Sequence, residues 1–223
     1  MDFDRFAQDY STVLDRSLAL SGEDSSYFAE YKALYLRHLL GPSFSGKVLD
    51  FGCGVGLLAR FLQTHLPAAH VHGFDVSQDS IAKVDPALSS RGMFTSSLAD
   101  LARDYDLIVI ANVMHHIPPD QRPNALGDLA QRLRERGLLS IFEHNPANPL
   151  TRWVVERCPF DDDAVLLPSA ETVQRVQAAG LQLRRRDYTV FMPGFLHWLR
   201  PLERYLCWLP LGAQYAVVAE KHG

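Results

Sequence analysis

Two sets of residues in this chain have types and spacings suited to chemistry. In VLDFGCGVG, residues 48–56, an apolar run ends on Asp50, and Gly52, Gly54 and Gly56 follow at alternate positions. Glycine takes positive φ and lets a ligand meet the backbone without an intervening Cβ. These three stand just before a helical pattern, where unpaired N–H groups point outward. The second set is His115 and His116, with Glu143 and His144 further on. Imidazole titrates nearest neutral pH, and an acid beside it orients it or takes the proton itself. His115, His116 and Glu143 are therefore the candidate bases.

Residues so far apart need a scaffold, and the hydrophobic pattern supplies one. Strands are predicted at 47–51, 71–75, 92–97, 105–111, 137–143, 181–191 and 213–221. Helical patterns separate them at 56–66, from 77 onward, at 119–136 and at 169–180. Two more helices are predicted ahead of these, at 4–20 and 25–40. The second carries Phe28, Tyr31, Leu34, Tyr35 and Leu39 at helical spacing and stops at Gly41–Pro42. Alternating strands and helices predict an α/β fold with a parallel sheet covered on both faces. Ligands of such sheets bind beyond the carboxyl ends of the strands. Residues 144–168 and 192–210 are longer than connections need, and long segments in compact domains are usually functional. With the N-terminal helices they are expected to roof the site.

Composition narrows the partners. The 223 residues are 47% hydrophobic, enough for a sizeable core, and the net charge is −4. That charge gives no footprint for nucleic acid or an anionic membrane, and RLRER (132–136) and RRR (184–186) read as solvated faces. Cys53, Cys158 and Cys207 lack CxxC spacing, which fits reduced thiols in a cytoplasmic protein. The opening MDFDRFAQDY is acidic and polar, unlike a signal peptide, and no run of about 18 apolar residues would span a membrane. His115–His116 and the acids at 161–163 lack metal-ligand spacing, so no metal is expected.

The glycine spacing separates the nucleotide motifs. G-x-G-x-x-G would need glycine where Leu57 stands, and a P-loop would need G-K-[ST]. D-x-G-x-G-x-G, present as LDFGCGVG, resembles motif I of the class I S-adenosylmethionine-dependent methyltransferases. YDLIVIANVMHHIPP resembles that family's fourth-strand motif and LRERGLLSIFE its fifth. The resemblance covers residues 45–143, with the closing strands consistent to 221. It implies a Rossmann-like, doubly wound, seven-stranded sheet, mostly parallel with an antiparallel last strand. It implies one domain: a helical cap at 1–44, a cofactor core at 45–143 and acceptor-site insertions at 144–168 and 192–210. The implied cofactor is S-adenosylmethionine, held by Asp50, Gly52, Cys53, Gly54, Gly56, Asn112 and Asp75 with Val76. Asp75 takes both ribose hydroxyls. The family often has an acid after the third strand for the adenine amino group; here that position is Ser97, followed by Leu98. Asp100 replaces it only if the loop is shifted.

The histidine pair with an acid after strand five resembles the small-molecule O-, N- and C-methyltransferases. The expected reaction is methyl transfer to a small-molecule acceptor, with no nucleic-acid partner, since no N/D-P-P-Y/F follows strand four. The alternatives are cyclisation or elimination with the same cofactor, or a nicotinamide-dependent oxidoreductase. Adjacent histidines do not usually share a cleft, so one of His115 and His116 is expected to pack or cap. Tyr10 resembles a residue of the helix that closes over the cofactor, and His144 and Arg157 are acceptor-side candidates, Arg157 for a carboxylate or phosphate. Arg152–Glu156 reads as a surface i, i+4 pair. Phe195, Trp198, Leu199, Leu202, Tyr205, Leu206 and Leu209 make one helical stripe, broken at Pro201. Core or roof packing is its first reading, then an apolar acceptor pocket, then a dimer or membrane-surface contact.

Overall fold

The computed structural model describes residues 23–158 and 164–223. The helix expected at 4–20, Tyr10, and the acids at 161–163 lie outside these residues. Seven strands make one sheet: β1 Lys47–Phe51, β2 His70–Phe74, β3 Phe94–Thr95, β4 Tyr105–Ala111, β5 Leu133–His144, β6 Leu181–Thr189 and β7 Gln214–Lys221. Their order is β3-β2-β1-β4-β5-β7-β6. β1 pairs in parallel with β2 and β4, and β4 with β5, while β7 runs antiparallel to both β5 and β6. The chain winds outward from β1 in one direction and then from β4 in the other. The reversal opens a crevice at the carboxyl ends of those two strands.

Helices α1 Ser25–Leu40, α2 Leu57–His65, α3 Gln78–Ala82, α4 Pro86–Ser89, α5 Arg122–Arg132, α6 Pro149–Val155 and α7 Ser169–Ala178 surround the sheet. Successive strand residues point to opposite faces, so the apolar runs divide between two cores. Val48, Leu107, Val109 and Phe142 pack with Ala33 and Leu36 of α1 and Ala59 and Leu62 of α2. Leu49, Ile108, Ile110, Leu139, Ile141 and Val217 pack on the other face with Leu126 and Leu129 of α5 and Val176 of α7. Both faces are covered, which explains why residues 107–111 of β4 read as an unbroken apolar run rather than an alternation.

Three elements differ from the sequence reading. β5 begins at Leu133, because Leu133 already pairs with Tyr105 of β4 across a register shift. Helix α5 therefore stops four residues before the expected Arg136, which takes φ 61° inside the strand. In α1 the buried face is Ser25, Ala29, Lys32, Ala33 and Leu36. The large residues chosen from periodicity are half-buried, and Leu34 is exposed. Ala29 and Ala33 on this face let α1 lie close against α2. The third difference is the stripe at 195–209. Gly194–Tyr205 is a kinked 3₁₀ helix with Pro201 inside it, and Phe195, Trp198, Leu202 and Tyr205 are 76%, 66%, 49% and 61% exposed. It does not pack as core. The segment is held by its polar residues instead: Glu203 accepts from the backbone N–H of Phe191 and Met192, and Arg200 pairs with Glu23 and lies over Tyr27.

Candidate functional site

The crevice at the switch in strand order holds a cavity of about 410 Å³. At one end lie the loop after β1 and the end of β2. Gly52 has φ +79°, and a Cβ there would meet Val113 Cγ2 at 2.3 Å, so both conformation and space require glycine. Gly56, at φ +85°, starts α2. The Asp75 carboxylate at the end of β2 ties the loop down, accepting from Gly54 N–H at 2.8 Å and Ser77 N–H at 2.9 Å. Asp50 is 1% exposed and lines the cavity. Burial, then the charge of Asp75, push its carboxyl up to about 7, against the pull of the Ala59 N–H. Among the described residues its Oδ2 has no hydrogen-bond partner, and neither does Asn112 Oδ1. Asn112 sits at φ 56°, a left-handed conformation that asparagine tolerates better than most residues. Unfilled acceptors buried beside a cavity ask for a ligand that brings donors.

At the other end, residues 114–116 make a 3₁₀ turn after β4. This turn brings both His115 and His116 to the cavity, their ring centroids 4.1 Å apart, where one of the two was expected to pack away. His144, at the end of β5, completes the group, its ring centroid 5.2 Å from that of His115. Glu143 stands behind them, 1% exposed. Its Oε1 accepts from the N–H groups of Val113 and Met114, at 3.0 and 2.7 Å, and its Oε2 lies 2.5 Å from His115 Nδ1. Burial raises the Glu143 pKa. The His115 ring, by charge and hydrogen bond, with His144 and the Met114 N–H, outweighs that and holds it below the usual carboxylate range. An ionised carboxylate only accepts, so His115 donates from Nδ1 in this contact. This arrangement can take a proton at His115 and stabilise the resulting charge through Glu143.

The cavity thus collects Asp50, Gly52, Cys53, Gly54, Asp75, Val76, Asn112, His115, His116 and His144 from the sequence reading. Other candidates lie elsewhere. Ser97 precedes the short turn Leu98–Asp100, and neither it nor Leu98 lines the cavity. Asp100 is exposed and accepts from Thr95 Oγ1 at 2.8 Å. Arg157 is exposed, with its guanidinium 4.2 Å from the ring centroid of Trp153. Arg152 and Glu156 form the expected surface pair at 4.0 Å. Of the two long segments, the first supplies Val154, Val155 and Cys158 to the wall, while 192–210 supplies no lining residue. The sequence reading missed Phe28 and Lys32 of α1. Their signal was a heptad-like spacing of buried positions, Ser25, Ala29, Lys32 and Leu36, with a lysine among small and apolar residues. A larger hollow of about 560 Å³ between α5 and α7 contains no acid and no histidine. Among the described residues no group of three or more His, Cys, Asp or Glu side chains could hold a metal, and no helix is long and apolar enough to cross a membrane.

Known proteins share this architecture. A methyltransferase-domain family model, Methyltransf_23, matches residues 24–185. Ribosomal RNA small subunit methyltransferase C of Vibrio vulnificus is 36% identical over 113 residues, 47% of this chain and 33% of that protein. The chain spans about a third of the length of such curated relatives. A TehB-like S-adenosylmethionine-dependent methyltransferase of Corynebacterium glutamicum aligns over 98% of this chain and 99% of its own, at 18% identity and a TM-score of 0.62. The magnesium protoporphyrin IX methyltransferase of Synechocystis, solved with S-adenosylhomocysteine, aligns over 92% and 86%, at 16% identity and a TM-score of 0.64. At those identities the structural likeness is one of fold. The ribosomal RNA relative overturns the expectation of no nucleic-acid partner. A charge of −4 is a sum over the chain, in which local arginine clusters disappear, and local charge is what a nucleic acid meets. From its motifs, its sheet order and the matched residues, the chain belongs to the class I S-adenosylmethionine-dependent methyltransferase family.

Proposed function

We propose that the protein transfers a methyl group from S-adenosylmethionine to an acceptor atom presented at the histidine end of the cavity. The observation that carries this reading is the pairing of two ends in one cavity. One end has open acceptors at Asp50 Oδ2 and Asn112 Oδ1, and the other has His115 backed by Glu143. The cofactor's ammonium and ribose hydroxyls are donors, so the residues present fit it. Asp50 and Asn112 would take its amino-acid end, and Asp75, whose oxygens each keep acceptor capacity, its ribose. When bound, the cofactor supplies a methyl on a positively charged sulfur, ready for in-line displacement. The protein excludes water, aligns the acceptor, and takes its proton at His115 Nε2 where one must leave.

RNA is the acceptor class that the ribosomal RNA methyltransferase relatives support. A base turned out of its strand is how enzymes reach such atoms. The wall that helices outside the sheet add to the cavity favours a second reading, a small-molecule acceptor: α1 supplies Phe28 and Lys32, and α6 Val154 and Val155. One experiment separates the two. Methyl-labelled S-adenosylmethionine is incubated with the protein and either total RNA with ribosomal subunits or a metabolite extract. Label in RNA supports the first reading, label in small molecules the second, and label in neither overturns methyl transfer.

A further inference from the structure

The histidine end of the cavity holds a cation that neither the sequence motifs nor the family match accounts for. Lys32 belongs to the buried face of α1, is 4% exposed, and lines the cavity beside Phe28. Among the described residues its ammonium makes one hydrogen bond, a long one of 3.4 Å to the Phe28 carbonyl, and it stands 6.0 Å from the ring centroids of Phe28 and Phe142. An ammonium has three donors, and ring faces at that distance compensate little of the hydration lost on burial. Among the described residues no carboxylate lies within ion-pair distance of it. Among the described residues Glu143 is the carboxylate whose charge acts on it, and both Glu143 oxygens are already engaged by Val113, Met114 and His115.

The geometry points to Lys32 as the residue that grips an anionic oxygen of the acceptor and so selects acceptors that carry one. This rests on the methyl-transfer reading and adds the acceptor's charge to it. Lys32 is the only charged side chain on the buried face of α1, where it stands with Ser25, Ala29, Ala33 and Leu36. A ligand oxygen entering the cavity would fill the unused donors and bring the missing countercharge, forming a charge-assisted hydrogen bond. With Lys32 and His115 both lining the cavity, such an acceptor would be fixed at two points. Low-molecular-weight acids and nucleotides both offer this chemistry.

The test is calorimetry on the full chain loaded with S-adenosylhomocysteine. One probe series is benzoate and 4-hydroxybenzoate, each against its amide, and the other is guanosine monophosphate against guanosine. At least one anion should bind about tenfold or more tightly than its neutral counterpart, the scale of a hydrogen bond to a charged group. The series in which this happens identifies the source. Lys32→Met should abolish the preference and Lys32→Arg should keep part of it, with S-adenosylhomocysteine affinity within about twofold in both. Unchanged anion preference in Lys32→Met, equal binding of neutral probes, or no probe bound at millimolar concentration overturns the inference while leaving methyl transfer standing. Failure of S-adenosylhomocysteine to bind the wild-type chain removes both.

Discussion

The two ends of the cavity are built from different materials. At the β1–β2 end the backbone does the positioning: glycines with φ near +80° fold the loop tightly, and Asp75 spends a hydrogen bond on each of two backbone N–H groups. At the β4–β5 end side chains do it: Glu143 gathers two N–H groups and His115 into one buried network, and Lys32 reaches in from a helix outside the sheet. A backbone-built end depends on local sequence, because neighbouring residues close it. A side-chain-built end depends on elements brought together by the fold. The first suits a constant ligand, and the second can vary with the acceptor while the scaffold stays the same.

The sharpest way to break this contrast is to remove the base we propose, His115. His115→Ala should lower single-turnover rates about 100- to 10,000-fold, while calorimetric affinity for S-adenosylhomocysteine stays within a few-fold. A normal rate would show that the β4–β5 end works by alignment alone. Next in size, Asp75→Ala should weaken S-adenosylhomocysteine binding by about 1.5–3 kcal/mol with little effect on how the acceptor probes bind. If acceptor binding falls equally, the ends are not separable.

Lys32→Met should stabilise the protein by about 1–3 kcal/mol at neutral pH, seen as a higher melting temperature, since it replaces an uncompensated buried cation. Burial lowers the Lys32 pKa from 10.5 to about 8, partly offset by Glu143. The unfolded chain therefore holds more protons than the folded one between those values, and wild-type stability rises with pH across that window. The advantage of Lys32→Met should be full below about pH 8 and fade toward pH 10.5. An advantage independent of pH would mean that the gain comes from packing. The smallest effect is expected from Arg157→Ala, whose side chain rests on Trp153 outside the cavity: less than about 0.5 kcal/mol in stability and under twofold in turnover.

Much of the β1–β2 end was legible in the sequence, because Asp50, the glycines and Asp75 act within one strand–loop–helix–strand unit whose spacing is fixed. His115, His116 and Glu143 were also legible as candidates, since each follows a strand and so must reach the carboxyl edge of the sheet. Their partnership was not, because the 2.5 Å contact joins residues on two strands through a turn whose geometry no local pattern gives. Lys32 was hidden for a related reason. Periodicity marks large apolar residues as buried, but the buried face of α1 is Ser25, Ala29, Lys32, Ala33 and Leu36, offset from the large residues that periodicity picks out, and the lysine lies on it. The stripe at 195–209 failed in the opposite sense: helical spacing was present, yet nothing in the described fold covers it, and most of its aromatic rings face solvent.

The sequence by itself determined the sheet, its covered faces and the glycine loop after β1, because hydrophobic period and glycine positions constrain the backbone locally. The tertiary structure alone decided which side chains meet across the cavity and which charge is left unmatched there. Those outcomes depend on distances between elements far apart in the chain, and packing, not spacing, sets such distances.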